Sequence, residues 1–84
     1  VANSKATNMN EFIIEYEYFG LSNSAEVKKR TWRSEPYYKC FLHSSAQEVD
    51  IMQEIEAGVS YWVDMSAGST TPLSQILGAL LKIN

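Results

Sequence analysis

Phe12, Ile14, Tyr16 and Tyr18 recur at every second position, with Ile13, Glu15 and Glu17 between them. A period of two belongs to a strand with one dry and one wet face; a helix would scatter the same residues around its circumference. A lone strand cannot bury its dry face, so this stretch commits the chain to a sheet. The length then limits the sheet. With 84 residues, a chain buries only about 60% of the surface exposed when unfolded, which leaves room for one core. At 45% hydrophobic and 20% charged residues, the composition is that of a folded domain.

The other elements follow from punctuation and period. Residues 1–10 are polar and aperiodic and read as a flexible leader. Gly20 to Ser24 carries turn residues. Residues 26–33 form a second, weaker strand candidate. If it pairs antiparallel with the first, Glu15 and Glu17 come to lie beside Lys28 and Arg30. Ser34-Glu35-Pro36 breaks the chain before a third strand over 37–43. Ser45 with Glu48 matches a capping box, Val49, Met52 and Ile55 recur at helical spacing, and Gly58 suits a helix terminator. A helix is therefore expected there, followed by a strand over 59–65. Pro72 opens a second helix, whose stripe is Leu73, Ile76, Leu77 and Leu80. The expected order is β-β-β-α-β-α: one α+β domain over 11–84, a small antiparallel or mixed sheet of three to four strands with two helices.

The net charge of −3 and pI near 5.0 disfavour general binding to nucleic acid or anionic membranes. Yet five of the seven Lys and Arg fall within 28–39. Lys28, Lys29, Arg30, Trp32, Arg33 and Tyr37 combine cations for phosphates with rings for bases and form the nucleic-acid candidate. Cys40 and His43 are the only thiol and imidazole. Their odd offset on a strand places them on opposite faces, which argues against a nucleophile and base, and one Cys with one His is too few for zinc. The expectation is no catalytic residue, no metal and no cofactor. A single cysteine excludes an internal disulfide, no signal peptide is visible, and no apolar run reaches the roughly 18 residues of a span. These features point to a soluble cytoplasmic protein. The outer side of the second helix, with Gly78, Ala79, Leu81 and Lys82, carries little charge and is the candidate contact for a protein partner or a second copy.

Tyr16-Glu17-Tyr18-Phe19-Gly20-Leu21, Phe41, Met52-Gln53-Glu54-Ile55 and Trp62-Val63 together resemble the small linker domain of phycobilisomes, including rod-capping linkers. The likeness covers about residues 12–65. It departs at Val59-Ser60, where that family carries Gly-Gly, and lacks a Pro before the helix. The resemblance implies an order of strand, loop, strand, helix, strand and a role in pigment-protein assembly without catalysis. The residues by themselves lead to a non-enzymatic interaction or assembly module, such as a small subunit, adaptor or inhibitor. A single-stranded nucleic-acid binder is the alternative, and a small toxin or enzyme centred on Cys40 and His43 a third class.

Overall fold

A computed structural model describes residues 10–83, with side chains as far as residue 81. All but the last residue of the expected leader lies outside the described residues. The chain forms β1 (Glu11–Tyr18), β2 (Leu21–Trp32), β3 (Glu35–Leu42), β4 (Gln47–Glu56), β5 (Val59–Asp64) and α1 (Pro72–Ile83). The strands pair antiparallel in chain order as a five-stranded half-barrel. The expected two helices and three to four strands are thus corrected to one helix and five strands.

The difference lies at β4. Val49, Met52 and Ile55 fit a helix, but the charges keep another rhythm. Glu48, Asp50, Glu54 and Glu56 occupy alternate positions, with β-branched Val49, Ile51 and Ile55 between them. Period two wins because β3 supplies a partner: Lys39 pairs with Asp50 and Cys40 with Val49 across the ladder. Ser45 and Ala46 belong to the β3–β4 turn, with Ala46 at φ 57°. Gly58 does adopt a positive φ, 80°, but it closes a hairpin instead of a helix. Ala57-Gly58, Phe19-Gly20 and Arg33-Ser34 are two-residue turns with both residues at positive φ. That geometry matches the right-handed twist of the flanking strands. The helix that the phycobilisome-linker resemblance implies over Met52-Gln53-Glu54-Ile55 is therefore a strand.

One face of the sheet is dry. Phe12, Val27, Cys40 and Val49 form one row across four strands, and Ile14, Ala25 and Leu42 the next. Helix α1 lies over this face, against β5, β1 and β4, and buries Leu77 completely. Full burial of such a side chain stabilises by about 1.5–3 kcal/mol. Its buried stripe is Ser74, Leu77, Gly78 and Leu81, one position on from the expected Leu73, Ile76, Leu77 and Leu80. Thr71 and Ser74 cap its start reciprocally: each backbone N–H donates to the other's hydroxyl, at 2.9 and 3.0 Å.

The β3–β4 ladder ends at Tyr38 and Ile51, although β4 continues to Glu56. Even-numbered residues of β3 direct their backbone toward β4, and the next of these is Pro36, which has no N–H to donate. Beyond that point the β2–β3 and β4–β5 hairpins part. A depression of about 360 Å³ lies between them, lined by Glu35 and residues 52–55.

Candidate interaction surface

Strand alternation sends the second half of the side chains to the face opposite the helix. Glu11, Glu15 and Glu17 come from β1, Glu26 from β2, Glu35 from β3, and Glu48, Asp50, Glu54 and Glu56 from β4. These are nine of the chain's ten Asp and Glu; Asp64 alone has the inward register. The same face carries the cations Lys28, Arg30 and Lys39, so its formal charge is −9 + 3 = −6, against −3 for the whole chain. No described element covers it.

The charges are arranged in rows. Glu11, Lys28, Lys39 and Asp50 lie side by side across four strands, and Ile13, Glu26, Phe41 and Glu48 form the adjacent row. Lys39 Nζ sits 3.3 Å from Asp50 Oδ1 and 3.6 Å from Glu48 Oε1, and the Asp50 carboxylate holds the Lys39 ammonium above its ordinary pKa. Arg30 reaches Glu11 at 3.8 Å. Water reaches all these groups, so each pair contributes only about 0.2–1 kcal/mol. The expected pairing of Glu15 and Glu17 with Lys28 and Arg30 is corrected by the register, which sets Glu15 opposite Ser24 and Glu17 opposite Ser22. Both glutamates are exposed and have small neighbours. They line a depression of about 470 Å³ with Ser22, Asn23 and Ser24. A second, of about 270 Å³, lies around Phe41 between Glu26, Glu48, Lys28 and Lys39.

The basic run does not form one patch. Lys28, Arg30 and Trp32 point to the acidic face, whereas Lys29 points inward, its ammonium 5.9 Å from the Tyr38 ring centroid. Trp32 is half exposed near the β2–β3 turn, with the Arg33 guanidinium 4.6 Å from its ring centroid. Tyr37 is half-buried beside Arg30.

The expectation that Gly78 and Leu81 lie open to a partner is corrected as well. Leu81 is buried, and Gly78 rests directly against the Trp62 indole. Ala79 is exposed, and the side chain of Lys82 lies outside the described residues.

Cys40 and His43 do fall on opposite faces. Cys40 is fully buried, and burial pushes its thiol up to about 12, so at neutral pH it is a protonated apolar group. Alkylation should be slow in the native protein and reach the rate of a free thiol in urea. Fast native labelling would contradict this packing. His43 stands on the acidic face, its Nδ1 2.7 Å from the Ser24 hydroxyl. That pair was not foreseen, because it depends on cross-strand register.

The two sheet edges differ. At β5 the outward backbone groups of Trp62 and Asp64 are occupied. Trp62 N–H donates to Gln75 Oε1 at 3.3 Å, its carbonyl accepts from the Ser74 hydroxyl at 2.9 Å, and Asp64 N–H donates to the Ser69 carbonyl at 3.0 Å. At β1 the inward set is fixed by the bond from Lys29 N–H to the Asn10 carbonyl. Phe12, Ile14, Tyr16 and Tyr18 therefore bond to β2, and Glu11, Ile13, Glu15 and Glu17 direct N–H and C=O outward. Among the described residues, no strand pairs with that edge.

No family model, curated protein or solved structure matches this chain. Among the described residues, no group of His, Cys, Asp and Glu is arranged to hold a metal, and no helix is long and apolar enough to cross a membrane.

Proposed function

We propose that this chain is a non-enzymatic interaction module that docks a cationic protein segment on its uncovered sheet face, in a cytoplasmic setting. The observation that carries the reading is the segregation of nine of ten carboxylates onto that face. Such a field attracts Lys- and Arg-rich segments and repels phosphate backbones and identical faces. Phe41 and Ile13, both half-buried within the charged rows, supply apolar contact. Cys40 is buried and protonated, which leaves the only thiol unsuited to nucleophilic chemistry.

The second reading, single-stranded nucleic acid or RNA on Lys28 to Tyr38, rests on the exposed Trp32 with its stacked Arg33. A stacking ring beside a cation is how sequence-tolerant binders hold bases. The two readings separate in one titration of the full chain, followed by Trp fluorescence. A Lys- and Arg-rich peptide should bind saturably, and Glu26→Lys with Glu48→Lys should remove that binding. A single-stranded oligonucleotide should leave the signal unchanged. Oligonucleotide binding that falls steeply with salt and disappears in Arg30→Glu/Arg33→Glu would replace the first reading with the second.

A further inference from the structure

We infer that the β1 edge is a strand-addition site, where an extended segment of a partner protein with alternating basic and apolar residues pairs as a sixth strand. The inference rests on the reading of a cationic partner and specifies how that partner enters.

The asymmetry of the two edges is the first argument. An open edge is a template for unwanted pairing, and proteins commonly cover or distort it. Here β5 is sealed at Trp62 and Asp64 by side chains of α1 and by the segment that leads into it. β1 keeps a regular register over its whole length, and its outward N–H and C=O groups are unmatched among the described residues. Main-chain bonding to such an edge gives affinity, and alternate side chains give specificity.

The side chains identify the occupant. Glu11, Glu15 and Glu17 flank the edge on the open face, with the 470 Å³ depression running beneath the last two. A second copy of β1 would place glutamates against glutamates, which is unfavourable for neighbours on adjacent strands. A strand with Lys or Arg at every second position matches them. Its intervening residues would point to the helix side, beside Phe12, Ile14 and Tyr16, where apolar side chains extend the buried face.

The test uses the full chain and a short synthetic peptide of alternating Lys and Val. In the free protein, amide exchange should be fast at Ile13, Glu15 and Glu17 and slow at Phe12, Ile14 and Tyr16. Peptide should slow the first group and leave the second as it was. Ile13→Pro removes an outward N–H without touching an internal ladder bond. It should leave melting little changed and weaken peptide binding by about tenfold, the scale of lost ladder bonds. Peptide N-methylated at alternate positions should fail against the unaltered protein, which keeps the test valid if the proline variant does not fold. Equal binding of the methylated peptide would overturn strand addition and leave the cationic-partner reading standing. Absence of binding by any Lys-rich peptide would overturn both. Slow exchange at Ile13 and Glu15 in the free protein would also overturn the inference, since the edge would already be covered. Sedimentation would then show whether a second copy or the chain's own residues 1–9 covers it.

Discussion

Gly78→Ala will lower the melting temperature, although alanine is favoured over glycine inside a helix by about 1 kcal/mol. The reason is Trp62. A Cβ on residue 78 would fall inside the indole, against its Cγ and the two neighbouring ring carbons. These atoms sit close to the Trp62 backbone, so they cannot swing aside as the tip of a long side chain can. Either α1 lifts from the sheet or the indole leaves its place over β5. Overpacking of this kind costs about 1–3 kcal/mol and sometimes more. After the propensity gain we expect a net loss of up to about 2 kcal/mol, a fall in melting temperature of up to roughly 10 °C for a domain this small. Trp62→Ala should cost about 3–5 kcal/mol by itself. Placed on that background, Gly78→Ala should cost nothing further or become stabilising, because the obstacle is gone. A thermal melt of the four proteins decides the matter. Stabilisation by Gly78→Ala alone would show that helix and indole are not in contact.

The second large effect is expected at Leu81. Leu81→Glu removes a buried side chain, at about 2–5 kcal/mol, and introduces a carboxylate with no partner, which adds a desolvation cost. Together these approach the whole stability of a small domain, so cooperative melting should be lost at pH 7. The sign of the pH dependence follows. Burial raises the folded-state pKa of the new carboxyl above its unfolded value near 4.3. Its penalty is complete above the raised value and fades as pH falls toward the unfolded one, so part of the fold should return near pH 4. Ala79→Arg, on the exposed side of the same helix, should change stability by less than about 0.5 kcal/mol. A folded Leu81→Glu protein that melts like the parent would place Leu81 outside the core.

Both predictions turn on a helix stripe that hydrophobicity alone misplaces. The positions 74, 77, 78 and 81 follow ideal helical spacing, but two of them are Ser and Gly. A search for large apolar residues passes over these and settles one position away, on Leu73, Ile76 and Leu80, which are only partly buried. Ser74 can be buried because its hydroxyl caps the helix and donates to the Trp62 carbonyl. β4 posed the complementary problem. Ile51, Met52 and Ile55 support either period, and a Ser-x-x-Glu sequence with a glycine after Ala57 imitates both ends of a helix. The alternating carboxylates of 48–56 were the better signal, since an amphipathic helix does not need its acids at every second position. β1, β5 and the start of α1 were legible because period, Pro72 and turn residues agreed there. Glu35 and Pro36, expected as a break, instead open β3, and Leu21 to Ser24, expected as a turn, open β2. Segregation of the acids was readable only in part. Once β1 is a strand its glutamates share a face, but their alliance with Glu48, Asp50 and Glu54 depends on β4 being a strand too. Which edge stays open was not readable at all, because the sealing groups at β5 come from side chains of a later helix and from the loop that leads into it.

Pro36 has a consequence for how the domain comes apart. Where all five strands are stitched, opening β2, β3 or β4 breaks ladders on both sides and exposes the buried rows. Past Tyr38 and Ile51 each hairpin holds only its own pair of strands, so either tip can fray alone at a fraction of the global unfolding free energy. Both tryptophans lie past that point, Trp32 opposite Glu35 and Trp62 opposite Gln53, but only Trp62 is held in the core. Trp62, buried beneath α1, reports cooperative unfolding of the whole domain, whereas Trp32, on a tip with an exposed ring, reports a local opening that precedes it at lower denaturant.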